Sequence, residues 1–308
     1  MDLKEIEIAK EEYIDYLNVN NYSKRTIINY TLAINKFKNY LESIKAEVID
    51  PDNINELLED YKKYLKNTNN YTDSTINQYI TNLLTFLNRN GLATKVSRIK
   101  EEKITQIKYL TPEEIETAIA TIDIIKKDKE VAKQFKAIIC LMFYSGARVS
   151  EIEKLNRNDI AKDNTSAYVI LKGKGNKTIR QPITTKVYDM LQDILKDRDN
   201  KEPNAPLFLN QYNKRLKVRD IQRTIKRIAI ATDKAITEDK GIAPEPPIAD
   251  RLTPHALRHS YAIYLLMNKN RPINEVKGLL RHESITTTEK YLKLSNKDLR
   301  NTYNDIFN

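Results

Sequence analysis

SAYVILKGKGNKTIRQPI, residues 166–183, is the one stretch of this 308-residue sequence with a clear strand pattern. Two β-rich runs, 166–171 and 178–183, flank Gly-Lys-Gly-Asn, a turn chemistry that closes a hairpin. Lys174 falls at the tip of that ribbon. A turn lysine is ordinarily just solvated, so its position alone assigns it no chemistry. Around the hairpin the pattern is helical. An apolar helix runs through 134–144, and further helices are expected at about 186–196 and 218–232. Residues 236–254 hold Pro244, Pro246, Pro247 and Pro254 and read as a loop. Thr253 and Pro254 then start a helix carrying HALRHSYAIYLL, followed by helical patterns around GLLRHE, TTTEKYLK and NKDLRNTYNDIF. The expected fold is therefore mainly α with a small β-hairpin or sheet.

Working back from the hairpin, TPEE starts a helix firmly. Thr111 serves as N-cap, Pro112 suits the first helical position, and Glu114 completes a capping box. Residues 94–108, TKVSRIKEEKITQIK, are weakly patterned and read as a linker. Two domains follow from this, 1–93 and 109–308. The first contains a faint repeat offset by 49 residues: Tyr22, Thr26, Ile27, Tyr30 and Phe37 recur as Tyr71, Thr75, Ile76, Tyr79 and Phe86. Ordinary amphipathic helices explain most of that similarity. Ser23, and Asp73 or Ser74, are the expected caps. Residues 20–41 carry Lys24, Arg25, Lys36 and Lys38 without an acid, a basic face suited to a DNA backbone.

Composition narrows the function classes. Hydrophobic residues make up 40% and charged residues 31%, as in a chain with a packed core rather than a disordered one. No run of about 18 apolar residues exists, so no membrane span is expected. The charged N-terminus lacks a signal-peptide pattern, and Cys140 is the only cysteine. A cytoplasmic location and a buried structural thiol are the expectations. The net charge is +10; residues 1–100 hold 14 basic and 14 acidic side chains, leaving 38 and 28 for residues 101–308. That excess fits a polyanionic partner, although a solvated lysine-rich surface would look the same.

The chemistry-bearing residues gather in short segments. Of six glycines, Gly146 precedes Arg148, Gly173 and Gly175 flank Lys174, and Gly278 precedes His282. In YSGARVSE, Arg148 and Glu151 are three apart, so the acid can orient the guanidinium; a surface salt bridge has the same spacing. In PHALRHS, His255 and Arg258 share a helix face near the N-terminus, where phosphate is favoured. His255 and His259 are four apart, but no third ligand stands at zinc spacing and the glutamate of HExxH is absent, so no metal or other cofactor is expected.

Individually weak, these segments are specific in their order. YSGARVSE, KGKGNKTIR, HALRHS, GLLRHES and TTTEKYLK together resemble the tyrosine recombinase (phage integrase) family, most of all its Xer-type members. The resemblance implies a two-domain DNA clamp, with a helical core-binding domain followed by a catalytic domain. It makes Arg148 and Arg258 the catalytic arginines, Lys174 the hairpin lysine, His255 and His282 the catalytic histidines, and Tyr291 the nucleophile. Glu151 matches the acid that commonly follows the first arginine, and His259 takes a structural role. One departure stands out: Arg281 occupies the position before His282 where the family usually has glycine. Double-stranded DNA is the implied substrate, with a tetramer on two DNA sites and, as an open matter, an accessory protein. A topoisomerase of type IB shares this chemistry but usually lacks the histidine of His255-x-x-Arg258. A non-catalytic DNA-binding regulator on the same scaffold is disfavoured, because all six residues are retained.

Overall fold

The computed structural model describes residues 1–46, 48–68, 71–92, 95–101, 107–173, 178–196, 198 and 201–281. The chain divides into two compact units, Met1–Thr105 and Gln106–Asn308.

The first unit is helical: α1 (Leu3–Val19), α2 (Lys24–Ser43), α3 (Ile54–Thr68) and α4 (Asp73–Arg89). Asp2 starts α1 with a full capping box, accepting from the Lys4 and Glu5 amides while Glu5 returns to the Asp2 amide. Ser23 caps α2 as expected. The cap of α4 is Thr72 rather than Asp73 or Ser74, because Thr72 holds the extended backbone that lets its hydroxyl reach the Thr75 amide. The repeat marks two helices that pack on each other, with Phe37 and Phe86 both buried. Aromatic edges knit the core: Phe37 meets Tyr61 at 5.1 Å and Phe86 meets Tyr13 at 5.7 Å. Residues 95–101 follow the surface of this unit. Asn77 receives the Ile99 amide and donates to the Ile99 carbonyl, while Val96 and Ile99 cover the core. The basic face of α2 is partly spent internally. Lys38 pairs with Glu7 at 2.7 Å, and Lys36 donates to the Tyr71 hydroxyl while lying over the Tyr71 and Tyr79 rings. Lys24 and Arg25 stay exposed.

The second unit is built around α6 (Lys129–Ser145), which is apolar nearly all round and packs against α5 (Pro112–Ile125), α8 (Thr185–Lys196) and α11 (Pro254–Ile263). Cys140 is buried in it, and burial pushes its thiol up to about 11. Thr111, Pro112 and Glu114 form the expected capping box at α5. The Glu114 carboxylate also takes Arg251, which ties α5 to α10 (Ile248–Arg251).

Among the described residues the sheet has three antiparallel strands, β1 (Ile160–Lys162), β2 (Ala167–Lys172) and β3 (Thr178–Ile183), in that order. The hairpin is where the sequence places it, with Lys172 opposite Thr178 and Ala167 opposite Ile183. The added edge strand β1 is too short to show an alternation of its own; it exists because β2 offers it a partner. On the inner face Val169 and Leu171 are joined by one polar side chain, Gln181, which is 2% exposed and sits opposite Val169.

Helix α9 (Val218–Lys240) runs past the expected end near residue 232 and into the segment read as loop, stopping where Gly241 takes a left-handed backbone. The proline-rich loop is shorter for the same reason. It is anchored from a distance, since both Asp233 oxygens accept the first amides of α10, Ile248 and Ala249. Short α7 (Val149–Lys154) follows α6, and α11 continues through a π-turn, Tyr264–Asn268, before α12 (Ile273–Leu280). The apolar patterns expected beyond α12 lie outside the described residues. Among the described residues no helix is long and apolar enough to cross a membrane.

Candidate active site

The site begins at a glycine. Gly146 ends α6 at φ 61°, donating its amide to the Met142 carbonyl. A Cβ there would stand 2.7 Å from Cδ1 of Tyr261, so only glycine lets α11 cross this close. Two residues on, Arg148 is the extended residue before α7. Glu151 Oε2 accepts the Arg148 main-chain amide at 2.8 Å, and Oε1 accepts Arg148 Nη1 at 3.1 Å. The pair is not a solvated surface bridge: Glu151's side chain is 4% exposed and Arg148's is 42%. The acid is a buried fixture from which the guanidinium projects into solvent.

Thr253 caps α11, Pro254 opens it, and His255 and Arg258 lie one turn apart as expected. His255 is exposed, and its ring stacks on His259 at 5.8 Å. Arg258 is buried. Its Nη1 donates to the Gly146 carbonyl and its Nη2 to the Leu280 carbonyl, so one guanidinium joins the ends of α6 and α12.

Arg281 completes the cluster. It adopts the left-handed conformation, φ 57° and ψ 42°, which is what glycine would supply at this place. Its side chain is 8% exposed. Nη2 lies 2.9 Å from Glu151 Oε2 and 3.3 Å from the Gly146 carbonyl, and Nη1 donates to Gln181 Oε1 at 2.5 Å. Burial is the main cause that lowers the Arg281 pKa; Glu151 opposes it and the neighbouring Arg148 adds to it. Sequence reasoning named Arg281 only as a departure and missed Gln181 altogether. The available signal was a glutamine two residues from Ile183 on an inward strand face.

Arg148, Arg258 and Glu151 are thus brought together, with His255 on the same helix as Arg258. Lys174, His282 and Tyr291 lie outside the described residues. In the sequence Lys174 lies between the residues of β2 and those of β3, and His282 directly follows Arg281.

Residues 108–298 match the model of the phage integrase family, and residues 10–98 match that of the phage integrase N-terminal SAM-like domain. The chain belongs to the phage integrase family. It is an Xer-like tyrosine recombinase, and its activity is the site-specific breakage and rejoining of DNA. It is similar to tyrosine recombinase XerC of Chlamydia caviae, 26% identical over 95% of this chain and 96% of the relative. Its fold is also that of the XerH site-specific recombinase bound to a palindromic difH substrate, at TM-score 0.68 and 20% identity over 88% of this chain and 77% of that one. The Tn1549 transposon integrase in complex with circular intermediate DNA aligns at TM-score 0.69 and 19% identity, covering 94% of each chain. The transition state spreads negative charge over the non-bridging oxygens of a phosphodiester, and fixed guanidiniums stabilise that charge with planar hydrogen bonds.

Proposed function

We propose that this recombinase cleaves and rejoins DNA through a 3′-phosphotyrosyl bond to Tyr291, at specific and palindromic sites, with no metal or ATP. The observation that carries the reading is that open Arg148, held by Glu151, and buried Arg258, held by the Gly146 carbonyl two residues before Arg148, are bridged by Arg281, which bonds to both acceptors. Arg148 and Arg258 clamp the scissile phosphate. A tyrosine of ordinary pKa is only about 0.1% ionised at neutral pH, a deficit of ~4 kcal/mol that nearby arginines and a proton-accepting histidine offset. His255 manages the tyrosine proton, His282 supports the charged phosphate, and Lys174 protonates the departing 5′ oxygen. Because the phosphotyrosyl bond keeps the ester's energy, a 5′ hydroxyl from another strand reverses the step.

Covalent capture tests the proposal. The protein is mixed with fragmented DNA from its own source and denatured, and the ends of protein-linked fragments are sequenced. Adducts at one recurrent sequence support the reading, and that sequence names the role: a chromosomal palindrome for dimer resolution, the ends of a mobile element for integration and excision. Adducts scattered over many sequences would instead indicate topoisomerase-like relaxation. Tight binding without adducts would indicate a regulator or a need for an accessory protein.

Two further outcomes follow. Lys174→Ala slows cleavage by about 10²–10⁴, the usual worth of a general acid, and a 5′-thiol leaving group, which needs no strong acid, restores the rate. Failure of that rescue removes Lys174 from the role. Recombination needs four protomers on two duplexes in the cytoplasm, and Leu299, Tyr303, Ile306 and Phe307 are spaced for one apolar helix face that docks on a neighbour. Deleting residues 296–308 lowers tetramer formation on DNA while leaving single-site binding nearly intact. Equal tetramer formation by the truncated chain rules this docking out.

A further inference from the structure

We infer that Arg281 is a positioning residue that holds Arg148 ready for phosphate, acting through their shared carboxylate, Glu151. The inference rests on the proposed role of Arg148 and adds to it a residue where this family usually has glycine.

Three observations converge on it. First, both oxygens of Glu151 are engaged. Oε1 takes Arg148 Nη1, and Oε2 takes both the Arg148 amide and Arg281 Nη2. A buried carboxylate with one guanidinium partner tends to close on it bidentately. With Oε2 held by Arg281, Arg148 is gripped at one nitrogen and its remaining edge is left for a ligand. Two guanidiniums on one carboxylate also leave a surplus positive charge beside the site, where an anion is to bind. Second, Arg281 ties the arginine cluster to the sheet. Its Nη1 bonds to Gln181 on β3, and Nη2 shares the Gly146 carbonyl with Arg258. One side chain therefore spans the start of α7, the end of α6, the end of α12 and the strand that leads back to Lys174. Third, the arrangement is unfavourable for stability taken alone. A non-glycine residue sits in a left-handed backbone, its charge is desolvated, and two of the cluster's buried donors, Arg281 Nε and Gln181 Nε2, have no hydrogen-bond partner among the described residues. Glycine would avoid the backbone and desolvation costs, so the arginine is explained by what it does to its neighbours. Both hydrogens of its Nη2 are spent, on Glu151 Oε2 and the Gly146 carbonyl, and Nη1 is turned to Gln181, so it works through its neighbours.

The test uses nicked duplexes carrying the captured site, one with the natural scissile phosphate and others with each methylphosphonate diastereomer, which lack one charged non-bridging oxygen. Single-turnover cleavage is measured for the full-length protein and for Arg281→Gly, Arg281→Asn and Arg148→Ala. Glycine and asparagine both accept the left-handed backbone, so either variant that melts and binds DNA like the parent is informative. Arg281→Gly or Arg281→Asn is expected to slow cleavage of the phosphate duplex about 30- to 100-fold, the scale of a small misplacement of a catalytic group. On the diastereomer that lacks the oxygen facing Arg148, the deficit shrinks to within about fivefold, since less charge remains to be stabilised. Arg148→Ala shows the same pattern with a larger loss. A merely structural Arg281 would slow both kinds of duplex equally, and that result, or parental rates on the phosphate duplex, overturns the inference while the Arg148 pattern stands. If Arg148→Ala itself shows no difference between the duplexes, the proposed role of Arg148 fails and the inference falls with it.

Discussion

Replacing Tyr291 with phenylalanine abolishes covalent protein–DNA adducts and leaves DNA affinity within about twofold. The substitution removes one oxygen and nothing else, so packing and the electrostatic attraction to phosphate are retained while the attacking atom is gone. The expected loss is at least about 10⁴-fold, the scale of removing a catalytic nucleophile. Among the described residues Tyr261 packs beside Gly146, within electrostatic reach of Arg281. Burial pushes its phenol upward, with Arg281 only partly opposing, and a buried phenol held neutral is a poor nucleophile. Denaturing gel shifts with end-labelled DNA check the outcome. Adducts that persist in Tyr291→Phe and map by mass spectrometry to another tyrosine overturn the assignment.

Gly146→Ala is expected to have the largest effect on stability. The backbone at φ 61° costs any L-residue roughly 1–2 kcal/mol, and the new Cβ meets the Tyr261 ring at 2.7 Å and Leu280 Cδ2 at 3.1 Å. Both neighbours are buried, so neither can swing aside, and overpacking adds ~1–3 kcal/mol. A total near 3 kcal/mol lowers the melting temperature of a unit this size by roughly 6–12 °C. Cleavage falls too, because the Gly146 carbonyl is the acceptor shared by Arg258 and Arg281. Gly241 supplies the control. It also has a positive φ, 68°, but a Cβ there meets nothing within 4 Å. Gly241→Ala bears the backbone cost alone, ~1 kcal/mol and a few degrees, with cleavage unchanged. Equal melting shifts for the two variants would show that the close approach of α11 does not constrain the fold.

Much of the architecture was legible because its causes are local. The capping box at Thr111, the turn at Ser23 and the hairpin from 166 to 183 depend on residues within a few positions of one another, which spacing alone exposes. One slip was local, Thr72 rather than its two neighbours capping α4, and elsewhere a distant group decided the outcome. Asp233 caps α10 from fifteen residues away, and α9 runs on to Lys240, past the end that its spacing suggests. β1 needs β2 before it is a strand at all.

The sequence by itself determined the helical class, the hairpin, and the ordered segments that carry Arg148, Lys174, His255, Arg258, His282 and Tyr291. Only the tertiary structure decided that Arg258 would bind the carbonyls of Gly146 and Leu280, and that Arg281 would join Glu151, 130 positions earlier, to Gln181. The reason is physical. Caps and periodicities follow from the chain's own short-range geometry, whereas a buried guanidinium seeks acceptors that nearly every residue carries, and which ones it meets is settled by how helices and strands pack.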